Sequence, residues 1–176
     1  MGTFLISISF DRRQKINLAS ALICFGMLGF ALYAEKVLGY VPCPLCMFQR
    51  VAISALGVVF LVAALHRVRY YGAIVYGGFI FVFAAAAVWV AGRHVWIQAQ
   101  PPGTVPACGA PLDTLMNMFP LLEVVRKVMT GGGECGIIDW RFLGWSMPMW
   151  VLISAVTLGL VGLVNNAFLP VRAARQ

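Results

Sequence analysis

This sequence contains few charged residues. Only 11% of its 176 residues are Asp, Glu, Lys or Arg, whereas 61% are hydrophobic and the mean hydropathy is +0.89. A soluble domain carries about 25% charged residues, so this composition excludes a water-soluble globule without a very large exposed apolar surface. At this length we expect one compact unit, a single polytopic membrane domain over residues 1–176.

Acidic residues are especially few, with six Asp and Glu against 13 Lys and Arg. The net charge of +7 would by itself suggest a nucleic-acid partner. The charges flank the apolar runs and form no basic stripe, however, so they indicate membrane orientation and not polyanion binding. A secretory signal peptide is not expected either. Asp11-Arg12-Arg13 follows the apolar stretch 4–10, where a cleavage site would need small residues.

Four apolar runs are long enough to cross a bilayer. A membrane helix needs about 20 apolar residues, and the sequence predicts spans over about 17–37, 47–65, 70–91 and 147–169. The second run is the shortest, which places Arg50 near the water boundary and away from the bilayer centre. The predicted fold class is an all-α membrane protein, a four-transmembrane-helix antiparallel bundle with a long loop between helices 3 and 4.

The positive charges predict the orientation of this bundle. The short segments at both termini and between spans 2 and 3 are rich in Arg and Lys, so both termini should be cytoplasmic. The loops over about 38–46 and 92–146 then face the other side. Those loops carry four of the five cysteines, as expected in an oxidising compartment: Cys43, Cys46, Cys108 and Cys135. Cys24 lies inside the first span and is interpreted as a packing residue.

The stretch Pro42-Cys43-Pro44-Leu45-Cys46 stands at the water-facing start of span 2. A Cys-X-X-Cys tends to lower the pKa of one of its thiols, and a helix N-terminus favours the thiolate further. Arg50 follows Cys46 by four residues and therefore shares its helix face. A thiolate, a nearby cation and an apolar wall would suit a flat, electron-accepting ring.

The second cysteine pair has a different setting. Cys108 lies on a proline-rich, irregular segment, and Gly131-Gly132-Gly133 forms a hinge just before Cys135. The segment 112–129 between them predicts two short amphipathic helices, broken at Pro120, on the membrane surface. Because thiol–disulfide exchange needs the sulfurs in line, mobility around this pair favours an electron relay from a soluble dithiol to the close-spaced pair.

Several other interpretations remain open at this point. The loop disulfides could be purely structural, or the close-spaced cysteines could form half of a zinc site completed by Cys108, Cys135 or His94. Arg50 could be an arginine that merely extends toward the interface, and His94 an ordinary interface residue. What favours the redox hypothesis is that all of these residues converge on one membrane face.

In these residues the chain resembles the disulfide bond formation protein B family, the bacterial inner-membrane thiol–quinone oxidoreductases. The resemblance covers nearly the whole chain: four spans, Pro-Cys-Pro-Leu-Cys followed by Gln-Arg, a long second loop with two cysteines, and the run from Glu134-Cys135 to Met147-Pro148-Met149-Trp150. It implies a bacterial inner-membrane location with both termini cytoplasmic and the redox loops periplasmic.

The resemblance also implies roles for individual residues. Cys108 would form the mixed disulfide with a periplasmic thioredoxin-like oxidase of the DsbA type, with Cys135 as its loop partner. Cys43 would exchange with that loop pair, and Cys46 would be the thiolate that contacts the quinone. Arg50 and His94 would line the quinone site. The residue before Arg50 is acidic in some relatives, whereas Gln49 is an amide here.

The resulting functional hypothesis is a disulfide-generating enzyme that uses a quinone, either ubiquinone or menaquinone, and no metal. The alternatives are a quinone enzyme of the vitamin K epoxide reductase type, or a non-enzymatic scaffold or metal-handling membrane protein with structural disulfides. The former normally carries its membrane-proximal cysteine pair late in the chain, whereas Cys43 and Cys46 come early.

Overall fold

Four long helices form the framework of the computed structural model, which describes residues 11–66, 70–101, 112–138 and 140–168. Each of these helices is long and apolar enough to cross a membrane, the fourth together with the turn that continues it to Ala167, so the predicted four-helix membrane bundle is confirmed. They are α1 (Arg12–Lys36), α2 (Pro44–Leu65), α3 (Tyr70–Gln98) and α6 (Met147–Leu163).

The bundle core is built from apolar side chains and from small residues at the helix crossings. Helix α1 packs on α2, α2 on α3 and α3 on α6, and Phe60 and Ile80 are completely buried between them. A Cβ atom placed on Gly57 would lie only 2.9 Å from the Cβ of Cys24. Such close approach is typical of packed membrane helices, and Cys24 accordingly lies in the core.

Large apolar side chains cover the outside of the bundle. Leu22, Val51 and Trp89 are 64%, 70% and 72% exposed, one on each of three helices. Contiguous apolar surface of this kind is foreign to soluble monomers and is what a lipid-facing helix surface requires.

The segment after α3 contains two short helices, as the break at Pro120 predicts. They are α4 (Leu112–Met118) and α5 (Leu121–Thr130), and Pro120 is the N-cap of α5. Val124 and Val128 bury one face of α5. Arg93 ties this helix to α3, because its Nε donates to the carbonyl of Met129 at 2.8 Å and its Nη2 to that of Thr130 at 3.1 Å.

A small hairpin precedes α6 and was not predicted. Strands β1 (Arg141–Phe142) and β2 (Trp145–Ser146) pair antiparallel. Leu143 and Gly144 make the turn with φ values of 51° and 83°, and positive φ at both turn positions matches the right-handed twist of hairpin strands. The hairpin is anchored on α6, because Trp150 Nε1 donates to the Phe142 carbonyl at 3.1 Å.

Buried amides join the helices at the end of the bundle far from the cysteines, here called the asparagine end. Asn17 of α1 exchanges hydrogen bonds of 3.0 Å with Asn166 and accepts another of 3.0 Å from Asn165. Both asparagines lie in a π-helical turn, Val164–Phe168, that follows α6. Gln14 Nε2 donates to the Ala64 carbonyl of α2 at 2.9 Å, so this end links α1 to α2 and to the C-terminal end of the α6 segment.

Candidate redox site

Cys43 and Cys46 stand at the first turn of α2. Cys43 is the N-cap residue, with extended backbone, and its Sγ accepts a hydrogen bond from the Cys46 amide at 3.3 Å. Pro44 follows at the first helical position, where its missing N–H costs nothing. The two sulfurs lie 2.9 Å apart, with the Cys43 thiol donating, and both cysteines are free thiols in the structure. Both sulfurs therefore lie at the positive end of the helix dipole.

Cys135 packs in the same buried cluster as this pair. It lies in a 3-10 turn, Gly133–Gly136, is only 1% exposed, and its amide donates to the Gly132 carbonyl at 3.0 Å. The interaction with the Cys43 thiol lowers the pKa of Cys135 to about 6, despite the opposing effect of burial. The same interaction, together with the contact to Cys46 and burial, raises the pKa of Cys43. Cys43 therefore holds its proton while Cys135 is the better nucleophile.

Gly131 allows the chain to reach this position. It ends α5 with φ of 81°, and any side chain there would collide with Ile97 of α3. Only glycine combines a positive φ with such a close approach. The glycine run thus serves as a tight turn against α3 that delivers Cys135 to the site.

His94 contacts both sides of the sulfur cluster. Its ring is buried on α3, with Nε2 3.1 Å from the Cys135 carbonyl oxygen and 3.8 Å from Cys43 Sγ. Its other nitrogen, Nδ1, lies 3.0 Å from the amide nitrogen of Gln49. Sequence reasoning noted Gln49 only as a departure from relatives and missed this contact. The position of Gln49, three residues after Cys46 on α2, was the available signal.

Arg50 is half-buried and held by α1. Its Nη1 donates to Glu35, which also pairs with Lys36 at 3.0 Å, and its Nη2 donates to the Ala31 carbonyl at 3.0 Å. Arg50 is therefore an ordered member of the site. Glu35 was missed as a site residue, although an acid at the end of one span and an arginine at the start of the next indicate the same membrane depth.

A cleft of about 120 Å³ opens beside these groups, between α1, α2 and the start of α6. A closed cavity of about 150 Å³ holds a benzene ring, and this cleft is slightly smaller but open on one side, so it admits a flat ring only in part, with the remainder outside the cleft. Cys43, Cys46, Arg50 and His94 all line it. The rest of the wall is mainly apolar and includes Met27, Leu28, Ile53, Ile137, Ile138, Trp140, Met147 and Val151.

The structure thus brings together five of the six predicted site residues: Cys43, Cys46, Arg50, His94 and Cys135. The sixth, Cys108, lies outside the described residues. The sulfur atoms of Cys43 and Cys46 and a ring nitrogen of His94 also lie within 4.8 Å of one another. Two thiols and an imidazole are a donor set that a soft ion such as Zn²⁺ accepts, so the geometry leaves a metal-handling role to be tested.

Comparison with known proteins shows to which family the chain belongs. The family model described as disulfide bond formation protein DsbB matches residues 12–165. The chain belongs to the DsbB family. It is 46% identical over 148 residues to disulfide bond formation protein B of Xylella fastidiosa (strain 9a5c), a match covering 84% of this chain and 86% of that relative.

Two further DsbB relatives agree with this assignment. Disulfide bond formation protein B of Xanthomonas oryzae pv. oryzae (strain MAFF 311018) is 49% identical over 140 residues, or 79% of this chain and 81% of the relative. That of Xanthomonas axonopodis pv. citri (strain 306) has the same identity and coverage. The predicted family is confirmed, and with it a disulfide-forming, multi-pass membrane protein.

Proposed function

We propose that the chain reoxidises a periplasmic thioredoxin-like dithiol oxidase of the DsbA type and passes the two electrons to a membrane quinone, ubiquinone or menaquinone. One observation carries the proposal: Cys43 Sγ lies 2.9 Å from Cys46 Sγ and packs in the same buried cluster as Cys135, at the wall of a mainly apolar cleft. A single sulfur therefore contacts both its neighbour in the close-spaced pair and the loop cysteine. That is the contact needed for disulfide exchange between the two pairs.

The sulfur steps balance without a further reactant. The partner's dithiol reduces a Cys108–Cys135 disulfide and becomes a disulfide itself. The Cys135 thiolate then attacks Cys43 in a Cys43–Cys46 disulfide and breaks the bond to Cys46, and Cys108 resolves the resulting Cys43–Cys135 bond. The loop disulfide is restored, and two electrons and two protons remain on Cys43 and Cys46.

The residues around the cleft suit a quinone, which when bound would take up those two electrons and two protons. Arg50 and the N-terminus of α2 would hold negative charge near Cys46, and the apolar wall would exclude water from the ring. DsbA-type oxidases have potentials of about −120 mV, so their reoxidation needs an acceptor of higher potential than glutathione supplies. A quinone is an acceptor of that kind.

The compartments follow from the same proposal. The chain lies in the bacterial inner membrane with both termini cytoplasmic, and the loops that carry Cys43, Cys46, Cys108 and Cys135 face the periplasm. Reporter fusions should place residue 68 in the cytoplasm and residue 120 outside. The opposite result would separate the sulfurs from their proposed partner.

The decisive experiment uses purified protein, reduced DsbA-type partner and added quinone. We expect quinone-dependent oxidation of the partner, together with an absorption change when quinone is added. Both should be lost in Cys46→Ser and kept in Cys24→Ser, which replaces a cysteine in the bundle core. Unchanged oxidation in Cys46→Ser would reject the proposal.

The rival function is metal handling, which the spacing of Cys43, Cys46 and His94 supports. It predicts that protein purified without added metal contains about one zinc ion per chain. It also predicts that the loop cysteines form no mixed disulfide with the partner. Metal-free protein that forms a mixed disulfide in a Cys108-dependent way would exclude this rival.

A further inference from the structure

Glu35 lines the cleft, and the relay described above gives it no role. It lies at the end of α1, and its carboxylate accepts a hydrogen bond from Nη1 of Arg50 at the cleft wall. Only 21% of the Glu35 side chain and 17% of the Arg50 side chain are exposed. We propose that Glu35 is a positioning residue that holds the Arg50 guanidinium inside the cleft, where it donates to a carbonyl oxygen of the quinone.

Arg50 needs to be held because of its position in the membrane. It lies in the second turn of α2, near the water boundary, where an arginine side chain tends to extend its charged end into water. Two acceptors on α1 oppose that tendency: the Glu35 carboxylate and the Ala31 carbonyl, which receives Nη2 at 3.0 Å. Of these two, Glu35 alone is charged, so it adds Coulomb attraction to its hydrogen bond. Glu35 therefore supplies the larger part of the restraint.

The restrained guanidinium still has N–H groups to offer a ligand. In the described part of the chain, Nη1 donates to Glu35 and to Sδ of Met47 at 3.8 Å, and Nη2 donates to Ala31. Among the same described residues, Nε and the second hydrogen of Nη2 have no acceptor. A quinone carbonyl oxygen can only accept a hydrogen bond. Because Arg50 lines the cleft, a quinone bound there would meet a donor whose position is already fixed.

Lys36 provides a matched control for the role of Glu35. It also contacts the Glu35 carboxylate, at 3.0 Å, but its side chain is 75% exposed, and exposed ion pairs contribute little. Removing Lys36 should therefore leave Arg50 in place, whereas removing Glu35 should free the guanidinium to extend out of the cleft. The inference rests on the proposed function for the identity of the ligand.

Steady-state kinetics of the full chain test the proposal, with a reduced DsbA-type partner and a short-chain ubiquinone as the probe. Glu35→Ala should raise the KM for that quinone about fivefold, as expected for two side chains in direct contact. It should leave kcat near the parent value, because the sulfur contacts are untouched. Lys36→Ala should change neither constant. An unmoved KM in Glu35→Ala, or an equal rise in Lys36→Ala, would overturn the proposal.

A double variant tests whether Glu35 acts through Arg50. If it does, adding Glu35→Ala to Arg50→Ala should raise the KM for quinone no further than Arg50→Ala alone. Glu35→Gln keeps an acceptor oxygen but removes the charge, so its KM should lie between those of the parent and of Glu35→Ala. A full additional rise in the double variant would show that Glu35 acts by another route, and would reject its role as a positioning residue.

A merely structural role for Glu35 has a different signature. The ion pair also joins α1 to α2, so a purely structural Glu35→Ala would lower the free energy of unfolding in mixed micelles and leave the KM for quinone unmoved. That result would overturn the proposal. If the parent protein fails to oxidise its partner with quinone, the proposed function and this inference fail together. If the parent turns over and Glu35→Ala behaves like Lys36→Ala, this inference fails alone.

Discussion

The two ends of the bundle bury polar groups in opposite ways. At the asparagine end, Asn17, Asn165 and Asn166 are held by amide hydrogen bonds between α1 and the C-terminal π turn. At the sulfur end, formed by Cys43, Cys46, Gln49, His94 and Cys135, the polar groups are three thiols, an imidazole and a single amide. Among the described residues, no buried side-chain nitrogen or oxygen lacks a partner at either end.

The difference lies in what those groups can exchange. Amides neither titrate nor form covalent bonds under ordinary conditions, so the asparagine end can only hold helices together. The sulfur end is joined to its loop through thiols and one histidine, all of which can change protonation or bonding state. We infer that one end keeps the helices in register while the other reacts, and substitutions at each end should separate these roles.

The largest effect is expected from removing the loop sulfur that contacts Cys43. Cys135→Ala should abolish quinone-dependent oxidation of the partner, because no described loop thiol remains within reach of Cys43. Cys24→Ala is the control from the bundle core and should keep near-normal turnover. Loss of activity in Cys24→Ala would contradict its assignment as a packing residue.

The next effect concerns the acidity of Cys135. In a reduced variant whose only remaining cysteines are Cys43 and Cys135, ultraviolet absorbance should show the Cys135 thiolate forming as the pH rises through about 6. The lowered pKa means that this thiolate is protonated only below that pH. In the matching Cys43→Ala variant the donor is gone, so the midpoint should move up toward the ordinary value of about 8.5. An unmoved midpoint would show that Cys43 is not the cause.

Arg50 should have a smaller, selective effect. Arg50→Ala removes a cation that faces the cleft, and a hydrogen bond to a charged group contributes about 1.5–3 kcal/mol. The KM for quinone should therefore rise about tenfold or more, with partner binding little changed. Arg93→Ala is the control, since Arg93 binds the end of α5 outside the cleft. Equal changes in both variants would remove Arg50 from the quinone site.

The asparagine end should affect stability alone. Asn17→Ala breaks three amide hydrogen bonds and should lower the free energy of unfolding by about 1 kcal/mol, as interhelical polar contacts in membranes do. Denaturant titration in mixed micelles measures this change. Thr157→Ala, whose hydroxyl bonds within its own helix to Ile153, should change it much less. A fall in quinone turnover at permissive temperature would mean that the two ends are coupled.

The sequence was sufficient for the framework because hydrophobic length is a local property. Four runs of about 20 apolar residues specify four membrane helices, and Pro120 marks the break between α4 and α5. The Cys-X-X-Cys before span 2 and Arg50 one turn later could likewise be assigned to one helix end. These predictions needed no knowledge of which helices touch.

The contacts between distant segments could not be obtained in that way. Three sets of contacts depend on how the helices rotate and pack against one another. They are the ion pair of Arg50 with Glu35, the contact of Gln49 with His94, and the hydrogen bonds of Asn17 with Asn165 and Asn166. Helix rotation is set by side-chain packing between helices and not by hydropathy. The hairpin at Leu143-Gly144 escaped prediction because its strands are only two residues long.

The cap formed by Cys43 has a practical consequence for every experiment at this cysteine. Its sulfur accepts a hydrogen bond from the Cys46 amide. The atom proposed to react is therefore also the atom that caps the N-terminus of α2. Serine is among the best N-cap residues and alanine among the poorest, a difference of about 1 kcal/mol. Cys43→Ser should therefore silence the chemistry and leave the helix start intact, whereas Cys43→Ala should also fray it. Comparing the two variants distinguishes the loss of the reactive sulfur from the loss of the helix cap.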